Sequence, residues 1–202
     1  MTTLQNESAQ TAYDASVSNA RLVRDCLNGN EEAWLALVDR YKNLIYSIPL
    51  KYGLTGDDSA EIFQSVCLSL LSELPKIRDP QALPAWLIQV TARRCATVQR
   101  EQQPFVAVDD EDLEAHVEKH SSDLSREQIR ELELEQMLRE ARTALSPQCQ
   151  QLIEMLFYES PARPYEEVAA KLGLATGSIG LTRKRCLDYL RKNLERAGFE
   201  KL

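Results

Sequence analysis

The sequence predicts an all-α protein: two small helical domains joined by a flexible acidic linker. Apolar residues recur at helical spacing over most of the chain, and no segment alternates with the period of two that a half-buried strand requires. Residues 101–135 carry 12 acidic and 3 basic side chains, a net charge of −9, whereas residues 1–100 are at −1 and residues 136–202 at +3. Within the acidic stretch, residues 102–124 contain Pro104 and the run Asp109-Asp-Glu-Asp112 and have little periodicity, so they are expected to form the linker. The domains then fall at 19–101 and 125–202, after a polar, aperiodic tail at 1–18 that is expected to be disordered.

In the first domain, residues 19–28 place Leu22, Val23, Cys26 and Leu27 on one face of a short helix. Asn30 can cap the next helix, with Glu31 and Glu32 at its positive end. Its apolar residues Ala33, Trp34, Leu37, Val38, Tyr41, Leu44, Ile45 and Ile48 make the clearest amphipathic pattern in the chain, and Pro49 is expected to bend or end it. After a turn at 53–56, Asp57 or Asp58 is expected to start a third helix, with Ile62, Phe63, Val66, Cys67, Leu70, Leu71 and Leu74 inward and Pro75 as its stop. A proline-containing loop at 76–84 leads to a fourth helix, about 85–100, with Leu87, Val90 and Val98 toward the core. Gln89, Arg93, Thr97 and Arg100 form an outward polar and basic stripe on it.

The second domain opens on Ser125-Arg-Glu-Gln128, a capping box, and a helix ending near Ala144. Ser146-Pro147 reads as an N-cap followed by proline at the first helical position, and the helix after it uses Leu152, Ile153, Leu156 and Phe157. Residues 165–190 then form two helices around a tight turn. Val168, Ala169 and Leu172 face inward on the first, Gly173 supplies a left-handed end, and Thr176 is positioned to cap the second. Ile179, Cys186 and Leu190 share one stripe of that second helix; Ser178, Thr182 and Arg185 share another. The small residues Ala169, Ala170 and Gly173 would let the two helices approach closely. A polar first turn followed by Arg183-Lys184-Arg185 suits a helix-turn-helix recognition helix, with small donors on bases and cations on phosphates.

Several function classes are disfavoured. No apolar run approaches the roughly 18 residues needed to span a bilayer. The start of the chain lacks a basic segment followed by an apolar one, so no secretory signal and a cytoplasmic location are expected. The cysteines at 26, 67, 95, 149 and 186 are widely spaced and make no CxxC pair, so buried free thiols are expected and a metal site is not. His116 and His120 have the i, i+4 spacing of a metal pair, but no third ligand accompanies them and HExxH is absent. There is no GxxxxGK loop and no nucleophile elbow; neither a cofactor nor an enzymatic activity is expected.

Two blocks carry a family resemblance. The first runs from Trp34 through Asp58-Ser-Ala-Glu-Ile-Phe-Gln64 to Pro84-Ala-Trp-Leu-Ile-Gln-Val-Thr-Ala-Arg-Arg-Cys95. The second runs from Ala144-Leu-Ser-Pro147 through Tyr165-Glu-Glu-Val-Ala169 to Gly177-Ser-Ile-Gly-Leu-Thr-Arg-Lys-Arg-Cys-Leu187. In this order and spacing the chain resembles the extracytoplasmic-function group of bacterial sigma factors, within the sigma-70 family. The resemblance implies that the first domain binds the clamp of core RNA polymerase and reads the −10 promoter element, with a flipped base held near the 76–84 loop. It implies that the second domain places its recognition helix in the major groove of the −35 element, and that the linker threads near polymerase channels, where its acidity could mimic nucleic acid. Arg78, Gln89, Arg93, Arg94 and Arg100 are the −10 candidates. Trp86 belongs with them as a stacking platform, although it also stands where the family keeps a core tryptophan. Thr176, Ser178, Thr182, Arg183, Lys184 and Arg185 are the −35 candidates.

The resemblance also exposes departures. The clamp-docking helix of the family usually reads Asp-Ala-Glu-Asp-x-x-Gln-Glu. Here Asp58, Glu61 and Gln64 fit, whereas Ala60 and Ser65 replace acids. Two negative charges are missing, and phosphorylation of Thr55, Ser59 or Ser65 by a Ser/Thr kinase would restore about −1.5 to −2. Arg93 stands where asparagine is frequent, so −10 selectivity does not follow from the family. An anti-sigma factor is a further expected class of partner. The competing reading is a helix-turn-helix regulator that never binds polymerase; it leaves the 58–64 and 86–100 blocks without a purpose.

Overall fold

The computed structural model describes Tyr13, residues 17–102 and residues 124–199, and every regular element among them is helical. The α-helices are α1 (Asn19–Leu27), α2 (Glu31–Lys51), α3 (Gly56–Glu73), α4 (Leu83–Gln102), α5 (Arg126–Thr143), α6 (Pro147–Ile153), α7 (Tyr165–Leu172) and α8 (Ile179–Arg196). Two compact units divide between Gln136 and Met137, inside α5.

Local chemistry sets the helix starts of the first unit. The Ser18 side chain accepts from the Arg21 N–H, and Asn30 Oδ1 accepts from the Ala33 N–H at 3.0 Å, each satisfying a donor that the first turn leaves unpaired. The start expected at Asp57 or Asp58 is corrected: α3 begins at Gly56 with Thr55 as its cap, because the Thr55 hydroxyl and the Asp58 carboxylate close a reciprocal capping box. Pro49 does not end α2, which continues to Lys51. So near the C-terminus the missing N–H forfeits a single bond, and the buried ring packs in the core. Gly53 then reverses the chain at φ 70°.

The core of this unit gathers around α2, whose Leu37, Tyr41, Leu44, Ile45 and Ile48 are buried among Leu22 of α1, Val66 of α3 and Leu87 of α4. Leu71, expected inward, is 57% exposed. Leu70 and Leu74 already hold the core positions four residues apart, and the next residue along the helix turns about 100° away from them. Of the tail expected at 1–18, only Tyr13, Val17 and Ser18 are described. Tyr13 and Val17 pack against the core, and the Tyr13 hydroxyl donates to Asp25 Oδ2 at 3.1 Å. The linker expected at 102–124 lies outside the described residues, His116, His120 and the 109–112 run included, apart from Gln102 at the end of α4 and Leu124.

The capping box expected at 125–128 forms: the Ser125 N–H donates to Gln128 Oε1 at 2.8 Å, and the Gln128 N–H donates to Ser125 Oγ at 3.2 Å. The helix it opens serves the first unit as far as Gln136. Leu132 is buried in that unit's core, Gln136 Nε2 donates to the Arg40 carbonyl at 3.1 Å, and Lys51 Nζ lies 3.6 Å from the carboxylates of Glu131 and Glu135.

The second unit is built on two small cores. Leu152, Met155, Val168, Ala169 and Ile179 form one; Leu145, Cys149, Ile153 and Cys186, with Leu190 against them, form the other. Ser146 caps α6 with Pro147 at its first position, as the sequence indicates. Two expectations are corrected here. Cys149 and Cys186 are joined as a disulfide between α6 and α8, with Cα atoms 5.4 Å apart; the packing of two helices remote in sequence brings them together. Cys26, Cys67 and Cys95 are free. Phe157, expected in the core, is exposed. A π-helical turn at Glu154–Tyr158 follows α6, and its wider spacing shifts residue 157 off the inward stripe.

Candidate nucleic-acid interface

In the first unit α4 turns Leu87, Ile88 and Cys95 into the core, which fixes its opposite side toward solvent. Gln89, Arg93, Thr97 and Arg100 are all exposed on that side, as their spacing requires. The Arg100 guanidinium is held along the stripe by the Ala96 carbonyl at 3.3 Å and Thr97 Oγ1 at 3.4 Å. Arg94 is exposed beside it and reaches Ser69 Oγ at 3.5 Å. Trp86 is half-buried against the core, so its indole is not a free platform. Arg78 is exposed between two short 3-10 turns, Leu74–Lys76 and Pro80–Ala82. Buried Leu74 anchors the first turn, and the Asp79 carboxylate caps the second by accepting from the Gln81 N–H at 2.9 Å. The loop is therefore ordered on both sides of Arg78.

On α3 the burial of Ile62, Val66 and Leu70 leaves a second outward stripe: Asp57, Glu61, Gln64, Leu68 and Leu71, all exposed. Leu68 and Leu71 are 69% and 57% exposed, and sequence reasoning missed them as surface residues. The available signal was the surplus of leucines, since one helix face cannot bury Leu68, Leu70, Leu71 and Leu74 together. Asp58 is set apart from this stripe. One of its oxygens takes the Thr55 hydroxyl at 2.7 Å and the Thr55 N–H at 3.0 Å, and the other takes Gln102 Nε2 at 2.9 Å. The Thr55 hydroxyl, then the Thr55 N–H, then Gln102 hold its carboxyl below the usual carboxylate range.

The hydroxyls near the start of α3 differ in access. Thr55 is exposed. Ser59 is only 3% exposed and donates to the Thr55 carbonyl at 2.7 Å. Ser65 is half-buried.

In the second unit α7 and α8 flank a tight turn. Gly173 sits at φ 65°, as expected of a left-handed helix end. A Cβ there would meet nothing within 4 Å, so glycine is set by backbone conformation and not by the close approach of helices, and Ala170 is exposed. Thr176 does not cap α8 as the sequence suggests; it opens a 3-10 turn, Thr176–Ser178, that leads directly into the helix. Ile179 and Cys186 are fully buried, which turns the Thr182–Arg185 side outward.

The polar residues of α8 fall into two groups. Ser178 Oγ donates to the Ala175 carbonyl at 2.7 Å, and Thr182 Oγ1 donates to the Ser178 carbonyl at 2.9 Å, leaving oxygen lone pairs as their outward function. Arg183 is braced: its guanidinium lies 5.8 Å from the Phe157 ring centre and donates to the Tyr165 hydroxyl at 3.0 Å. Lys184 and Arg185 are exposed and form no ion pair among the described residues. No cluster of three metal-ligating side chains occurs among the described residues, and no described helix is long and apolar enough to cross a membrane.

No curated protein matches the chain. Residues 37–104, from within α2 to just beyond the end of α4, match the family model for sigma-70 region 2. This segment contains both outward stripes of the first unit, and over it the chain is similar to sigma-70 region 2.

Proposed function

We propose that the chain is an alternative sigma factor of the extracytoplasmic-function type, binding core RNA polymerase and directing it to promoters through −10 and −35 elements. The observation that carries this reading is the sigma-70 region 2 match over a helical unit with a basic stripe on α4, followed in the chain by two helices, α7 and α8, around a tight turn. Arg93, Arg94 and Arg100 are suited to the phosphates and exposed bases of the −10 strand, with Gln89 beside them and Arg78 at its end. On α8, Arg185 and the hydroxyls of Ser178 and Thr182 are suited to base edges; Lys184 and the braced Arg183 are suited to phosphates. Glu61, Gln64, Leu68 and Leu71 form a mixed acidic and apolar stripe that fits a basic protein surface with an apolar centre, such as the polymerase clamp.

Modification is proposed at Thr55 rather than at Ser59 or Ser65, since only Thr55 is exposed. A phosphate there would open the Thr55–Asp58 capping pair, stand beside the Asp58 carboxylate at the positive end of α3, and add the charge that the docking helix lacks. The deciding experiment is purification with core polymerase followed by transcription in vitro from a promoter library. Promoter-specific transcripts are expected. DNA binding without polymerase association would instead establish a helix-turn-helix regulator acting alone. Thr55→Glu should tighten polymerase association, and no change in that variant would remove the phosphorylation proposal.

A further inference from the structure

The disulfide between Cys149 and Cys186 crosses from α6 to α8 and spans 37 residues of sequence. Apart from the two half-cystines, the core around it holds, among the described residues, Leu145 and Ile153 as buried side chains, with Leu190 packed against them. This cluster is small, and beside it α8 meets α6 through Ile179 packed with Leu152, so the covalent link adds to an apolar contact of modest size. The other cysteines are poor candidates for the same chemistry. They lie on α1, α3 and α4 of the first unit, and none of them is paired in a disulfide.

We propose that Cys149 and Cys186 are a reversible thiol switch that sets how firmly α8 is held in the second unit. The reversibility of the bond and its consequence for DNA rest on the function proposed above; the bond itself does not. A protein that works beside polymerase works in a reducing compartment, where disulfides are transient and redox-sensing rather than permanent.

The chemistry balances with a peroxide as oxidant. The Cys149 thiolate attacks one peroxide oxygen, the O–O bond breaks, and the departing hydroxide leaves as water after taking a proton. The Cys186 thiol then attacks the Cys149 sulfenic sulfur, the S–S bond forms, and a second water leaves. Two thiols lose two electrons and two protons, and one hydrogen peroxide becomes two waters. In the other direction a small dithiol attacks Cys149, which is 8% exposed against 0% for Cys186. The Cys186 thiolate leaves and is protonated; the second thiol of the reductant then releases Cys149 and closes as a disulfide.

The test uses the full chain, treated with hydrogen peroxide or with dithiothreitol and then denatured in iodoacetamide. Three alkylated cysteines and a linked Cys149–Cys186 peptide are expected after peroxide, and five alkylated cysteines after dithiothreitol. Amide exchange in α8 should quicken about tenfold on reduction, while α2, α3 and α4 stay unchanged. Cys149→Ser and Cys186→Ala should each show the reduced exchange rate under both treatments; agreement between the two separates loss of the bond from damage by either substitution. Five alkylated cysteines after peroxide, or α8 exchange that ignores redox state, would overturn the switch. If the thiol count and exchange shift as expected but no promoter DNA binds in either state, the sigma-factor reading fails and the switch stands.

Discussion

The Thr55 hydroxyl donates to Asp58 Oδ2 at 2.7 Å, and its oxygen accepts from the Asp58 N–H at 3.2 Å. The pair ties the start of α3 to a carboxylate that must be ionised to accept these bonds fully. Asp58 is held below the usual carboxylate range, so its contribution to stability is present above the unfolded value of about 3.9 and disappears as pH falls through the lower folded value. Protection of the Thr55 amide, which donates to this carboxylate, should therefore persist below pH ~3.9 and weaken at more acid pH. Thr55→Ala should raise the Asp58 titration, followed by NMR, back toward the ordinary carboxylate range and cost about 1 kcal/mol in denaturant unfolding.

A second prediction concerns Leu132, which lies on α5 beyond the sequence-defined linker yet is buried in the first unit's core. Leu132→Ala should destabilise that unit by about 2–5 kcal/mol, seen as protection lost from α2 during amide exchange. Lys51→Met, which removes only partly exposed ion pairs to Glu131 and Glu135, should change stability by less than about 1 kcal/mol.

Lys184 and Arg185 of α8 should separate by role in DNA-binding assays. Arg185→Ala should cost about 1–3 kcal/mol on the preferred −35 sequence and relax selectivity at one position. Lys184→Ala should weaken binding evenly across sequences and reduce the salt dependence by about one counterion. Unchanged selectivity in the Arg185 variant would remove it from the readers.

Arg183 is held by the Phe157 ring and the Tyr165 hydroxyl. Tyr165→Phe removes the hydroxyl acceptor and keeps the ring; Phe157→Ala removes the stacking face. Each should weaken DNA binding by about 0.5–1 kcal/mol without changing sequence preference, measured by fluorescence titration at fixed salt. A change in preference would mean that Arg183 reads bases.

The helices were legible in the sequence because Leu37, Tyr41, Leu44 and Ile48 on α2, or Ile179, Cys186 and Leu190 on α8, repeat at one period over several turns. Caps were legible where a single side chain faces its own backbone, as at Asn30, Ser125 and Ser146. Thr176 misled for the same reason: a 3-10 turn satisfies the chain there without a side chain. The outward faces of α3 and α4 follow from their inward ones, except at Leu71, where a surplus of leucines hid the surface. Long-range relationships were not legible. Neither the Cys149–Cys186 bond nor the burial of Leu132 in the first unit leaves a local trace, since each depends on which helices meet. Phe157 was lost to a change of helical pitch that periodicity alone does not reveal.

The Cys149–Cys186 bond makes a closed ring of the chain between those residues, and α7 lies wholly inside it. Ser160, Pro161 and Ala162 are exposed on that ring. A protease cut at these residues opens the ring without parting the molecule, so α6 and α8 stay tethered and the pieces separate only when a reductant is added. Oxidation thus also gives the second unit tolerance to nicking: a broken backbone in this loop need not mean a lost helix.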